Sequence, residues 1–146
     1  MPTVELRFAA LPAHVRTARL LAASLARRTG VDESVIDEVK LAVGEACARA
    51  VGINQRAGEE VLVELSDDDA TFAVAVHDRG RVAPVPDVVD VVELASGDDP
   101  TAPLPAGFGL AVIAGLVDDL DVSADADGTV VRMTWSADLE RSAPRP

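Results

Sequence analysis

The hydrophobic period of this chain switches from helical to alternating near residue 60, and that change limits the fold more than any other feature. Val35, Val39, Ala42, Val43, Ala46 and Ala50 recur with helical spacing. After a break at Gly52 and residues 54–58, Val61, Val63 and Leu65 recur at every second position. Phe72, Val74 and Val76 repeat that alternation beyond a turn at 67–69. A helix with one apolar stripe therefore runs into a hairpin with one apolar face. Each surface needs a cover, and the two can cover each other.

The remaining segments extend this two-layer pattern. Val4, Leu6 and Phe8 alternate with Glu5 and Arg7, which predicts a strand. Pro12 opens a first helix with Val15, Ala18, Leu21, Ala22 and Leu25 on its apolar face, and Gly30 closes it. Asp32 caps the second helix, with Val31 and Ile36 as a hydrophobic staple, and the helix is expected to end near Val51. A third helix is expected over 107–116. A final hairpin joins 120–123 to 129–135. Between them, residues 81–106 hold five of the nine prolines, which predicts a lid-like loop with at most a short helix at 88–94. The order β, α, α, β, β, lid, α, β, β describes an α+β two-layer sandwich on a mixed, mostly antiparallel sheet. One domain over 1–136 and a flexible tail over 137–146 are expected.

Bulk properties exclude several function classes. The 146 residues are 49% hydrophobic but only 3% aromatic, so Ala, Val, Leu and Ile must build the core. No apolar run has membrane-spanning length, and the N-terminus does not read as a leader. The single Cys47 excludes an intrachain disulfide and fits a reducing cytoplasm. A net charge of -12 argues against direct nucleic-acid binding and suits a basic protein partner.

Few residues suggest chemistry by themselves. Glu45 and Arg49 lie four apart on one helical face, which also suits a surface ion pair worth about 0.2–0.5 kcal/mol. Asp78-Arg79-Gly80 ends a strand; the Asp can accept from an exocyclic amine, or the triplet can be an ordinary turn. Gly107-Phe108-Gly109-Leu110 opens a helix, as either an anion-binding end or a hinge. Thr129 suits a strand and can also support a buried carboxylate. His14 and His77 make no metal-ligand cluster with Cys47, so no His/Cys metal site is expected.

Taken together, these segments resemble the GHKL ATPase superfamily. Within it, the chain resembles the serine protein kinases that act as anti-sigma factors (RsbW/SpoIIAB type). The likeness runs from about Val4 to Trp135, with residues 37–51 similar to the family's N-box helix. It implies a GHKL-type fold, ATP and Mg²⁺ as cofactors, and Glu45 as the general base acting on a partner's serine. It implies that Asp78 and Gly80 read adenine with support from Thr129. Gly107, Gly109 and Leu110 would stand beside the phosphates, and Arg19 would contact protein partners. The implied biology is a partner switch. A homodimer of the kinase sequesters a sigma factor, and a STAS-domain anti-anti-sigma protein competes for it until phosphorylated.

The chain departs from the family pattern at the metal. Arg49 stands where the family places its Mg²⁺-binding Asn, and a guanidinium offers no oxygen ligand. Arg49 is expected either to contact phosphate directly or to pair with Glu45. Val82 replaces a second Gly, and residues 81–106 contain no Lys or Arg beyond Arg81 but several carboxylates. Weakened or lost kinase activity is the expectation. Open alternatives are a non-catalytic sensor of ATP or another nucleotide, and a protein-binding scaffold.

Overall fold

The computed structural model describes residues 3–68, 70–79 and 108–137. The elements run β1 (Thr3–Phe8), α1 (Ala13–Thr29), α2 (Glu33–Ala57), β2 (Val61–Asp68), β3 (Thr71–Asp78), α3 (Phe108–Ala114), β4 (Asp119–Asp125) and β5 (Gly128–Ser136). The whole expected lid over 81–106, with its short helix at 88–94, and residues 138–146 lie outside the described residues.

The five strands form one sheet in the order β1-β2-β3-β5-β4, and every described pairing is antiparallel. Register aligns the apolar residues into rows. Leu6, Val63, Val76, Val131 and Val122 make one row, and Val4, Leu65, Val74, Met133 and Leu120 make another. Both rows face the helices, because strand side chains alternate and a slip of one residue would turn them to water. The opposite face carries Glu5, Glu64, Ala75, Arg132 and Asp121 in one row.

The helical layer is built largely from small side chains. Ala18, Ala22 and Ala26 of α1 and Ala42, Ala46 and Ala50 of α2 are all at most 1% exposed. Small contact residues let two helices approach closely. The aromatics act as anchors. Trp135 stacks on Phe72 with ring centroids 6.0 Å apart, and its Nε1 donates to the Leu116 carbonyl at 3.0 Å. That bond fixes the chain just after α3 onto the sheet.

Local signals set most boundaries. The Gly30 N–H donates to the Ala26 and Arg27 carbonyls and the Val31 N–H to Ala26, a Schellman-type ending. Asp32 accepts from the Ser34 N–H at 2.8 Å, and Val31 and Ile36 are both buried. One boundary differs from expectation. α2 does not stop near Val51 but runs through Gly52 to Ala57, and Gly58 (φ 69) supplies the cap. An interior Gly costs only about 1 kcal/mol, and burial of Val51 and Asn54 offsets it. At the other end, the Ala137 N–H donates to the Ala70 carbonyl at 2.6 Å, so the expected fraying does not begin there. Among the described residues no helix is long and apolar enough to cross a membrane.

Candidate functional site

α2 carries the polar residues of the site along one stripe. Glu45 is half-buried and faces the start of α3: a Cβ added to Gly109 would lie 3.7 Å from its Oε2. Glu45 and Gly109, 64 positions apart in sequence, are thus brought together. On its other side Glu45 borders a groove between α1 and α2. The groove has a volume of about 510 Å³, and its walls include Arg16, Arg19, Leu41 and Gly44. Arg19 lies across Gly44, where an added Cβ would come within 2.8 Å of its Cδ. Leu41 is 51% exposed in the same groove. A carboxylate, two guanidinium groups and an exposed leucine therefore share one open surface.

One turn further along α2 the surroundings change. Arg49 Nη1 donates to Asp78 Oδ2 at 2.5 Å, and the two side chains are 15% and 1% exposed. This ion pair replaces the Glu45 pairing expected from helical spacing. The physical reason is register: the last core-facing position of β3 is Asp78, and α2 crosses above it. A buried carboxylate needs a partner, and the guanidinium one turn after Glu45 is within reach.

The strand ends around Asp78 are tightly fixed. Thr129 stands opposite Asp78 in the β3–β5 register, and both are buried. Gly128 (φ 139) packs on the Asp78–Arg79 backbone so closely that an added Cβ would lie 1.9 Å from the Asp78 carbonyl oxygen. Asn54, 1% exposed, accepts from the Arg79 N–H at 2.9 Å and donates to the Glu60 carbonyl at 2.8 Å. Arg79 Nη1 donates to the Asp127 carbonyl at 3.1 Å. Sequence reasoning did not assign Asn54 or Gly128 to the site. A polar Asn opening the break at 54–58 was the available signal for the first. A Gly directly before Thr129 was the signal for the second.

A separate cavity of about 550 Å³ lies at this end of the sheet, bordered by Arg7, Leu62, His77 and Val130 from the face away from the helices. It also touches Asp78 and Thr129, but it shares no lining residue with the groove at Glu45. Leu110 is fully buried and serves the core. Burial pushes the Cys47 thiol up to about 12, which keeps it protonated and unreactive beside the site. Gly80 and Gly107 lie outside the described residues.

These residues do not fit a magnesium site of the expected kind. Arg49 brings no oxygen and is already paired with Asp78. Among the described residues no group of three or more His, Cys, Asp or Glu stands ready to hold a metal ion.

Comparison with known proteins places these features in context. The family described as histidine kinase-like ATPase domain matches residues 8–135. Serine-protein kinase RsbW of Bacillus licheniformis is 29% identical over 147 residues, covering 94% of this chain and 88% of that relative. Serine-protein kinase RsbW of Oceanobacillus iheyensis is 27% identical over 140 residues, with 94% and 89% covered. A crystal structure of the RsbU and RsbW domains of a Mycobacterium tuberculosis protein superposes with a TM-score of 0.64 at 20% identity. That match covers 92% of this chain and 32% of the larger one, and it shows a shared fold.

Proposed function

The chain belongs to the histidine kinase-like ATPase domain family, and we propose that it is an anti-sigma factor of the serine-kinase type. It sequesters a sigma factor and frees it when a STAS-domain anti-anti-sigma protein takes its place on the kinase. The near full-length likeness to RsbW kinases supports this reading. The observation that carries it is the groove in which Glu45 and Arg19 lie together. The position of the general base and the position of the partner contact open onto one surface. A partner seated against Arg19 would bring its serine to Glu45, so binding and phosphorylation would use the same face.

Phosphoryl transfer is weak or absent in this proposal, because Arg49 stands at the metal position and is held by Asp78. ATP remains the nucleotide implied by the family. A homodimer in the cytoplasm is part of the same reading. The Arg49–Asp78 pair also favours a second reading, in which the fold is a protein-binding scaffold whose cleft takes no nucleotide.

The test combines capture and transfer. The protein is mixed with candidate sigma factors, then with a STAS-domain protein, labelled ATP and Mg²⁺. A stable sigma complex, displaced by the STAS-domain protein with little serine labelling, is expected. Failure to bind any sigma factor of the source organism contradicts sequestration. Rapid labelling that disappears in Glu45→Ala contradicts weak catalysis alone. Sedimentation of the purified chain as a monomer contradicts the dimer.

A further inference from the structure

Arg49 stands at the position of the family's metal ligand, but its contact is with Asp78, the carboxylate read as recognising the base. A guanidinium presents N–H groups in a plane, as the exocyclic amine edge of a purine does. Asp78 Oδ2 already accepts from Arg49 Nη1 at 2.5 Å, with both groups largely removed from water. We infer that Arg49 is a built-in occupant of the base-recognition end: it sits on the Asp78 carboxylate, and a purine nucleotide binds only by displacing it. This inference rests on the reading of Asp78 as the base-recognising carboxylate.

Three features make the plug effective. The Asp78 backbone cannot retreat, because Gly128 packs directly on it and Asn54 holds the following N–H. The α2 backbone cannot retreat either, because Ala46, Cys47 and Ala50 beside Arg49 are at most 1% exposed in the core. Only the Arg49 side chain is free to yield. A displaced guanidinium gives up a desolvated, charge-assisted hydrogen bond, and the entering base must repay that loss before it gains affinity.

A plug at the base differs measurably from a missing metal ligand. Loss of a Mg²⁺ ligand weakens only nucleotides that use the metal, so its repair appears with ATP and Mg²⁺. A plug weakens every adenine nucleotide, so its removal appears with AMP and without metal.

The experiment is calorimetric titration of AMP and of ATP, each with and without Mg²⁺, into the full chain and three variants. Arg49→Ala removes the plug. Arg49→Ala with Asp78→Asn removes it together with the buried negative charge, and so keeps the test valid if the single variant does not fold. Arg49→Ala with Asp78→Ala removes both plug and reader. Folding of each is checked by circular dichroism. The expected result is AMP binding about tenfold tighter or more than in the parent chain, without Mg²⁺, in the first two variants. The third variant shows no such gain. A gain confined to ATP with Mg²⁺ overturns the plug and returns Arg49 to the metal end. No gain in either of the first two variants, where folded, also overturns it. Sigma capture plays no part in these titrations, so sequestration and the plug fail independently.

Discussion

Glu45 and Arg49 are one helical turn apart on α2, yet they live in different surroundings. Glu45 opens onto a groove shared with Arg16, Arg19 and an exposed leucine. Arg49 is committed to a carboxylate that is 1% exposed. The first environment suits contact with another protein. The second suits closure. The difference teaches that one helix can leave a carboxylate open to a groove and, one turn on, seal a guanidinium against a buried carboxylate. Stability and function are then expected to separate along α2.

Substitutions along the stripe can break or sharpen this contrast. The largest effect is expected for Arg49→Ala, which takes the cation away from the buried Asp78 carboxylate. A loss of about 3–5 kcal/mol in denaturant unfolding is expected. Next is Gly128→Ala, where a Cβ would meet the Asp78 carbonyl at 1.9 Å in a backbone conformation that disfavours side chains. About 3 kcal/mol or more is expected from strain and displacement together. It would also weaken any ligand binding at Asp78. Asn54→Ala removes both bonds that join α2 to the strand ends, and a loss of about 1–3 kcal/mol in the same assay is expected.

The partner-facing end should behave in the opposite way. Arg19→Ala is expected to change stability by less than about 0.5 kcal/mol, since Arg19 is exposed. Its effect should appear in sigma-factor affinity, as a loss of about tenfold in a binding titration. Equal losses of stability at Arg19 and Arg49 would dissolve the contrast. The smallest effect is chemical. Native Cys47, with its thiol pushed up to about 12, is expected to resist thiol reagents at pH 8 and to react once urea unfolds the chain.

What the sequence revealed follows from the range of each interaction. The hairpins, the Asp32 cap and the Gly30 ending were legible because each is set by residues within one or two turns. The extension of α2 past Gly52 was not legible. It depends on Asn54 reaching Glu60 and Arg79, the latter brought close only by the finished sheet. Arg49 shows the same limit more sharply. Helical spacing offers it Glu45, four residues away, while the fold gives it Asp78, 29 residues away. Gly128 read as part of a turn, and only the β3–β5 register reveals the backbone that it must admit. Glu45, Asp78, Gly109 and Thr129 were singled out through a family likeness, which carries long-range information that periodicity lacks.

The central claim is that Arg49 and Asp78 act as one buried unit, and a double-mutant cycle tests it most directly. Unfolding free energies are measured for the parent chain, Arg49→Ala, Asp78→Ala and the double variant. A coupling of about 2 kcal/mol or more is expected, with the double variant more stable than the sum of the single losses implies. A coupling below about 0.5 kcal/mol would mean that the two side chains act separately. It would contradict a cleft closed by its own arginine.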